Sequence, residues 1–371
     1  MQSKIQPAAI TIAQAANLRA SRKEIPDNEC FAEQTCNTLV MDRYPNNLKK
    51  GKKIMTWFLL VLLCIICWSA TDLFNKKGSD PEDKLSHLKF LVWMGLILGG
   101  FSVLLLPLSE SKTTIFNLIY KYRDYMPFAI SYVLALMCGI IGARYLDISV
   151  VSPLENIDGA IAGVVLFFYL AITGTINDIT QQFTWLDPIG FLLIVVGTVL
   201  LGIQEQQAKA AGSHKAPSRN KLGAVAFIFP FIYNIFDAAS MVLEGALFQA
   251  DNGEAVGEFD FLIFEGAAFF IMGIAAWLFL LLVKKTVYNP FRKGELVKAG
   301  AALTEGLGNI LFTLAIAKNP VLTPPVTGTY FIATILGAKL FLKEKLTKRQ
   351  YFWIFVLSLG LVLLGISELL K

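Results

Sequence analysis

Between Ser149 and Leu170 the chain reads SVVSPLENIDGAIAGVVLFFYL, an apolar run that carries Glu155, Asn156 and Asp158. A carboxylate near the middle of a bilayer costs at least about 2.5–3.5 kcal/mol on insertion scales, and two cost more. Lipid offers nothing to offset that cost. These side chains must therefore face other helices or a water-filled cavity. On a helix, Glu155 and Asp158 are three residues apart and share a face. Paired carboxylates in such a place can bind a solute, or take up and release protons. Pro153 stands just before them. It removes one backbone donor and opens the hydrogen-bond ladder, which a membrane tolerates only next to protein or water.

Further acids lie in apolar segments: Asp72, Asp237, Glu244, Glu265 and Glu305, with Arg144 the one basic residue near them. Asp237 and the Glu155/Asp158 pair are the foremost candidates for solute binding or proton coupling. Blander readings stand beside the others. Glu244 and Glu265 read as hydrated groups near the membrane surface. Asp72, just before Asn75-Lys-Lys, reads equally as a helix end. Arg144 reads equally as a structural partner of Glu155 or Asp147. Asn156, Asn234, Asn309, Thr327, Thr329 and Tyr330 can donate hydrogen bonds to a solute, or equally to neighbouring helices. Trp68 and Tyr233 can line a cavity or simply pack. A net negative interior favours cationic or zwitterionic solutes, amino acids and amines among them.

Composition sets the class. Of 371 residues 55% are hydrophobic and 16% charged, against about 25% charged in a soluble domain. The mean hydropathy is +0.57. Apolar runs of about 20 residues recur, the signature of a polytopic helical membrane protein. The net charge of +5 sits mostly in loop lysines and does not point to nucleic acid. Cys64 and Cys67 form C-I-I-C inside an apolar run, without the polar surroundings and further ligands of a zinc or redox site. The only histidines, His87 and His214, fall in expected loops. No metal, no cofactor and no enzyme activity are expected. No G-x-x-x-x-G-K-[ST] appears, which speaks against an ATP-driven pump. Gly95 and Gly99 form a G-x-x-x-G pair suited to close helix contact.

The elements that must position these residues are ten apolar spans. They run from about Ile54–Phe74, Leu88–Leu108, Met126–Leu146, Ser149–Leu170 and Asp187–Ile203 to Leu222–Phe248, Phe259–Val283, Val297–Ala317, Val321–Leu342 and Tyr351–Leu370. The expected organisation is a polar tail over 1–53, a first five-helix repeat over 54–203, a linker over 204–221 and a second repeat over 222–371. The halves echo each other. Trp68-Ser-Ala-Thr-Asp72 returns as Tyr233-Asn-Ile-Phe-Asp237, 165 residues on. Val151-Ser-Pro153 returns as Leu322-Thr-Pro324, 171 on, and Gly197–Ile203 as Gly360–Ile366, 163 on. An odd number of spans per half would invert the repeat, the build of many secondary transporters, with solute held near midplane between the repeats.

Ala143-Arg-Tyr-Leu-Asp-Ile-Ser-Val-Val-Ser-Pro-Leu154 followed by a long apolar helix resembles the EamA-like branch of the drug/metabolite transporter superfamily. So does Ala317-Lys-Asn-Pro-Val-Leu-Thr-Pro324 through Leu342-Lys-Glu-Lys-Leu-Thr347 with the glycine-containing last span. The resemblance covers about residues 54–370. It implies an all-α membrane protein with ten transmembrane helices in two inverted repeats. The first, third, fourth, sixth, eighth and ninth helices would line a central cavity. All seven acids except Glu265 fall on those helices. The sequence departs from the pattern in its acidic fourth span and in Gly174-Thr-Ile-Asn-Asp178 after it. The resemblance also implies cytoplasmic termini, which the lysine and arginine count of the loops opposes.

The expected function is a secondary carrier for a small polar metabolite, an integral multi-pass protein of the plasma (cytoplasmic) membrane that works by alternating access. Its partners are the solute and membrane lipid, with proton coupling and a homodimer open. The competing readings are a channel or non-transporting scaffold and, behind them, a membrane enzyme.

Overall fold

Lipid cannot pair with backbone N–H and C=O groups, so apolar runs must close those bonds within themselves, as helices. The computed structural model describes residues 46–79, 83–146, 148–174, 184–210, 225–226, 228–249, 256–342 and 348–370. The chain divides into two compact units, Met1–Lys50 and Gly51–Lys371, and nearly all described helices belong to the second. In chain order they are α1 (Asn46–Gly78), α2 (Ser86–Leu105), the short α3 (Ile115–Lys121) and α4 (Met126–Tyr145). Next come α5 (Ile148–Glu155), α6 (Ile157–Thr173), α7 (Leu186–Ala210) and α8 (Ile228–Phe248). The rest are α9 (Glu258–Leu282), α10 (Leu296–Ile316), α11 (Thr323–Thr327), α12 (Tyr330–Phe341) and α13 (Lys348–Leu370). No strand occurs among the described residues.

Among the described residues, seven segments are long and apolar enough to cross a membrane: Trp57–Gly78, Ser86–Leu108, Arg123–Tyr145, Val151–Thr173, Ile228–Phe248, Glu258–Leu282 and Lys293–Ile316. The protein is an integral, multi-pass membrane protein. Three of the ten expected spans come out differently. The fifth and tenth are apolar only over Leu186–Leu200 and Tyr351–Leu364. The ninth is divided into α11, of 5 residues, and α12, of 12. The linker also departs from expectation, because α7 runs on through Gln204–Ala210. Gln, Glu, Ala and Lys are good helix formers, so the helix outlasts its apolar part; residues 211–221 lie outside the described residues. His87 belongs to the first turn of α2, not to a loop.

Three helix pairs meet through glycines, and each contact is reciprocal. A Cβ on Gly95 of α2 would sit 2.8 Å from Gly273 Cα of α9, and one on Gly273 would sit 2.8 Å from Gly95 Cα. Gly190 of α7 meets Leu364 and the Gly360 carbonyl of α13, while Gly360 meets Ile194 and the Gly190 carbonyl. Gly159 of α6 lies against Pro324 and Gly328, and Gly328 against the Asn156 carbonyl. Bare backbone lets the helices approach closely, which supplies dispersion contacts where lipid gives no hydrophobic drive. Around these crossings pack apolar clusters, one joining Phe90, Met94, Leu98, Tyr132 and Phe269 across α2, α4 and α9. Another joins Val61, Ile194, Phe331, Ile335 and Leu357. Cys64 and Cys67 are both free thiols; Cys64 Sγ donates to Gly308 O at 3.3 Å.

Candidate functional site

Pro153 lies inside α5 and cannot donate a backbone hydrogen bond there. The chain turns at Asn156 (φ −78°, ψ 8°) and resumes as α6. The turn needs other donors for its carbonyls. Asn234 Nδ2 donates to Leu154 O at 2.7 Å and to Pro230 O at 2.6 Å. Asn156 Nδ2 donates to Ser152 O at 2.7 Å. The ninth span breaks likewise after Pro324-Pro325, at Gly328 and Thr329. There threonine hydroxyls close the local bonds: Thr323 to Asn319 O (2.6 Å), Thr327 to Thr323 O (2.8 Å) and Thr329 to Val326 O (2.7 Å). The two breaks touch. Gly159 admits the Pro324 carbonyl, and a Cβ on Gly328 would meet Asn156 O at 3.4 Å.

Beside this crossing lies a cavity of about 760 Å³, its mouth included, walled by α1, α4, α5, α6, α8, α10 and the turn into α12. Six carboxyls line it: Asp72, Glu155, Asp158, Asp237, Glu244 and Glu305. None is more than 8% exposed. Hydroxyls and amides hold most of them. Asp72 accepts from Ser152 (2.6 Å) and Thr334 (3.2 Å). Glu305 accepts from Tyr132. Glu244 accepts from Thr313 at 2.6 Å. Asp237 accepts from Tyr233 (3.2 Å) and Ser240 (3.3 Å). Asp158 accepts from Gly159 N at 2.5 Å and is hydrogen-bonded to the Asp237 carboxyl. Two carboxyls placed in this way can share one proton.

Among the described residues no Lys, Arg or His lines the cavity. The ion pairs there, Lys89–Asp83, Arg123–Asp124 and Lys298–Glu295, all lie elsewhere. Lys76 follows the cavity residue Asn75, yet its ammonium turns to Ala143 O (3.0 Å) and Leu146 O (2.5 Å) at the end of α4. A helix C-terminus attracts a cation. An aromatic wall completes the site: Trp68 packs on Phe312 (5.1 Å between centroids) and Tyr330 (5.8 Å).

Of the expected site residues, Glu155, Asp158, Asp237, Asp72, Asn156, Glu305, Tyr233, Asn309 and Tyr330 line this cavity, and Arg144, Asn234 and Thr327 do not. Arg144 turns to the start of α2, donating to Ser86 Oγ (2.6 Å) and Lys84 O (3.4 Å) and meeting His87 Nδ1 at 3.3 Å. Among the described residues it reaches no carboxylate, and Asp147 lies outside them. Asn234 and Thr327 serve the backbone of the two breaks. Two surface readings are corrected. Glu244 is 3% exposed and lines the cavity, and Glu265 is 1% exposed, accepting from Asn309 at 2.6 Å. Tyr132, Ser152, Ser240, Thr313 and Thr334, hydroxyls that hold the acids, were not among the expected site residues. Ser240, one turn after Asp237, carried a local signal; the others come from distant segments and carried none.

Chemically, the arrangement offers carboxylates as acceptors for O–H or N–H groups, an aromatic face, and a carboxyl pair able to gain or lose a proton.

No protein-family model matches the chain. Two proteins of Bacillus cereus and one of Bacillus anthracis, each described as "Putative sugar uptake protein", are 26% identical to it over 229 residues, 60% of this chain and 69% of theirs. A solved chain described only as "Crystal structure of protein" superposes with a TM-score of 0.58 at 10% identity, over 85% of this chain and 99% of that one. That likeness is one of fold.

Proposed function

We propose that this chain is a secondary carrier that moves a small polar solute across the plasma membrane by alternating access. It is read as ten helices in two inverted five-helix repeats. The reciprocal glycine contacts support that reading, because residue i meeting the mate of j, while j meets the mate of i, is what a two-fold relation produces. The mates are 178 residues apart for Gly95 and Gly273, 169 for Gly159 and Gly328, and 170 for Gly190 and Gly360. The sequence pairing of Gly197 with Gly360 falls seven residues from the last of these. A slip of seven keeps the same helix face, so the motif looked the same.

The observation that carries the proposal is the meeting of two interrupted helices beside six buried carboxyls with no lining cation. Broken helices at a repeat interface are where such carriers hold their solutes. The favoured solute is a sugar. Ring faces of Trp68, Phe312 and Tyr330 suit the apolar face of a pyranose, carboxylates and Asn309 suit its hydroxyls, and relatives bear the name of sugar uptake proteins. An organic cation is the second reading, favoured by the absence of lining cations. Amino acids lose ground, because Arg144, the one candidate for their carboxylate, points away. The Asp158–Asp237 pair is read as the proton-coupling group and the assembly as a monomer or homodimer. Labelled hexoses, pentoses and amines should be offered to proteoliposomes with and without a pH gradient. Gradient-enhanced uptake of a sugar is expected. Absence of uptake for every solute would overturn the carrier reading.

A further inference from the structure

We infer that Glu155 is the carboxylate through which the cavity grips its solute, accepting an O–H or N–H hydrogen from it, while the other five acids hold the wall. The inference deepens the carrier reading and rests on it. Five of the six lining carboxyls each accept at least one hydrogen bond from the protein. Asp72 takes two hydroxyls, Glu305 a phenol and Glu244 a hydroxyl. Asp158 and Asp237 take each other and further donors.

Glu155 differs. It is 4% exposed, yet no described residue donates to it, and its Oε1 is wholly buried without a partner. Buried polar atoms in native proteins are overwhelmingly bonded, so an unbonded one calls for a use. Three further features bear on this carboxyl. It is the last residue of α5, where the carbonyl end of a helix disfavours an anion and so sharpens the need for an outside donor. It faces bare backbone: a Cβ on Gly139 or Gly142 would come within 3.4 or 3.3 Å of Oε1, so α4 leaves room there and supplies no donor. The one neighbouring amide, Asn156, has already given its Nδ2 to Ser152. Glu155 also sits at the break of the fourth span, next to the contact with the ninth, so a relative shift of the two broken helices would move it.

The donor on the solute can be a sugar hydroxyl or an ammonium group, and the test separates them. The purified full chain is treated with dicyclohexylcarbodiimide, an apolar reagent that adds to accessible carboxyls buried away from water, and the adducts are mapped by peptide mass spectrometry. Glu155 should label about tenfold faster than any of the other five acids, because a hydrogen bond to a charged group shields them by roughly that factor. D-glucose and D-ribose form one protection arm and putrescine the other; slowed labelling in one arm identifies the donor. Uptake into proteoliposomes is run in parallel on wild type, Glu155→Gln and Glu155→Asp. Loss of uptake in the Gln variant with partial return in the Asp variant is expected. Equal labelling of all six acids overturns the inference, as does normal uptake by Glu155→Gln; either would leave the carrier reading standing. No uptake by wild type sinks the carrier reading itself. The labelling of wild type decides the matter should the Gln variant fail to fold.

Discussion

The expected fourth span breaks at Asn156 and the expected ninth at Gly328 and Thr329, and the two breaks lean on each other through Gly159 and Gly328. Both follow prolines. Their chemistry is otherwise opposite. The ninth-span break carries Thr323, Thr327 and Thr329, and each hydroxyl returns to a carbonyl one turn back. It is self-sufficient. The fourth-span break carries Glu155 and Asp158, which have no donors of their own to give while ionised. Its own Asn156 gives its Nδ2 to Ser152, so it borrows donors, from Asn234 for a carbonyl and from Asp237 for a carboxyl, and at Glu155 it finds none. Interrupting a helix therefore needs only proline and a turn, and the same geometry can be chemically inert or demanding. The demanding break is the one expected to work on a solute.

Six substitutions probe that contrast, from the largest expected effect down. Glu155→Gln should lower the initial rate of solute uptake roughly 10- to 100-fold, the worth of a charge-assisted hydrogen bond. Thr329→Val in the other break should change it by less than about twofold. Comparable losses in both would erase the contrast. Asp158→Asn keeps a donor for Asp237 but removes the shared proton. Counterflow of solute should persist while accumulation driven by a pH gradient collapses, and unchanged accumulation would remove the pair from coupling. Gly159→Val forces side-chain atoms onto the Pro324 carbonyl and should cost about 1–3 kcal/mol of stability, read as a fall in the thermal midpoint. Gly328→Ala should be milder, because its Cβ comes no nearer than 3.3 Å, to Pro324 O, against 2.4 Å for a Cβ on Gly159. Thr327→Val, which removes only a hydroxyl returned to Thr323 O, should cost about 0.6 kcal/mol or less by the same measurement.

Glu244 shows why part of the site escaped a linear reading. It lies four residues before Phe248, the end of α8, and polar Gln249, Asp251 and Asn252 follow closely. Distance along the chain suggested a wet helix end, but Thr313 of α10 reaches it in the interior. Arg144 escaped for the converse reason. Its nearest acids in sequence are Asp147 and Glu155, while Ser86, bonded to it at 2.6 Å, is 58 positions away. Apolar periodicity places a residue within a span. It does not say which face of that span meets which neighbour.

The residues alone determined that the chain is helical and crosses a membrane, and that acids sunk in its spans must be shielded from lipid. Those conclusions depend on transfer energies and backbone pairing, which are local properties of each segment. Only the tertiary structure decided which acids share one cavity, which donors hold five of them and that Glu155 is left unheld. Hydrogen bonds between helices join positions up to 266 residues apart, as Trp57 and Thr323 are, and no pattern within one helix encodes such a partner.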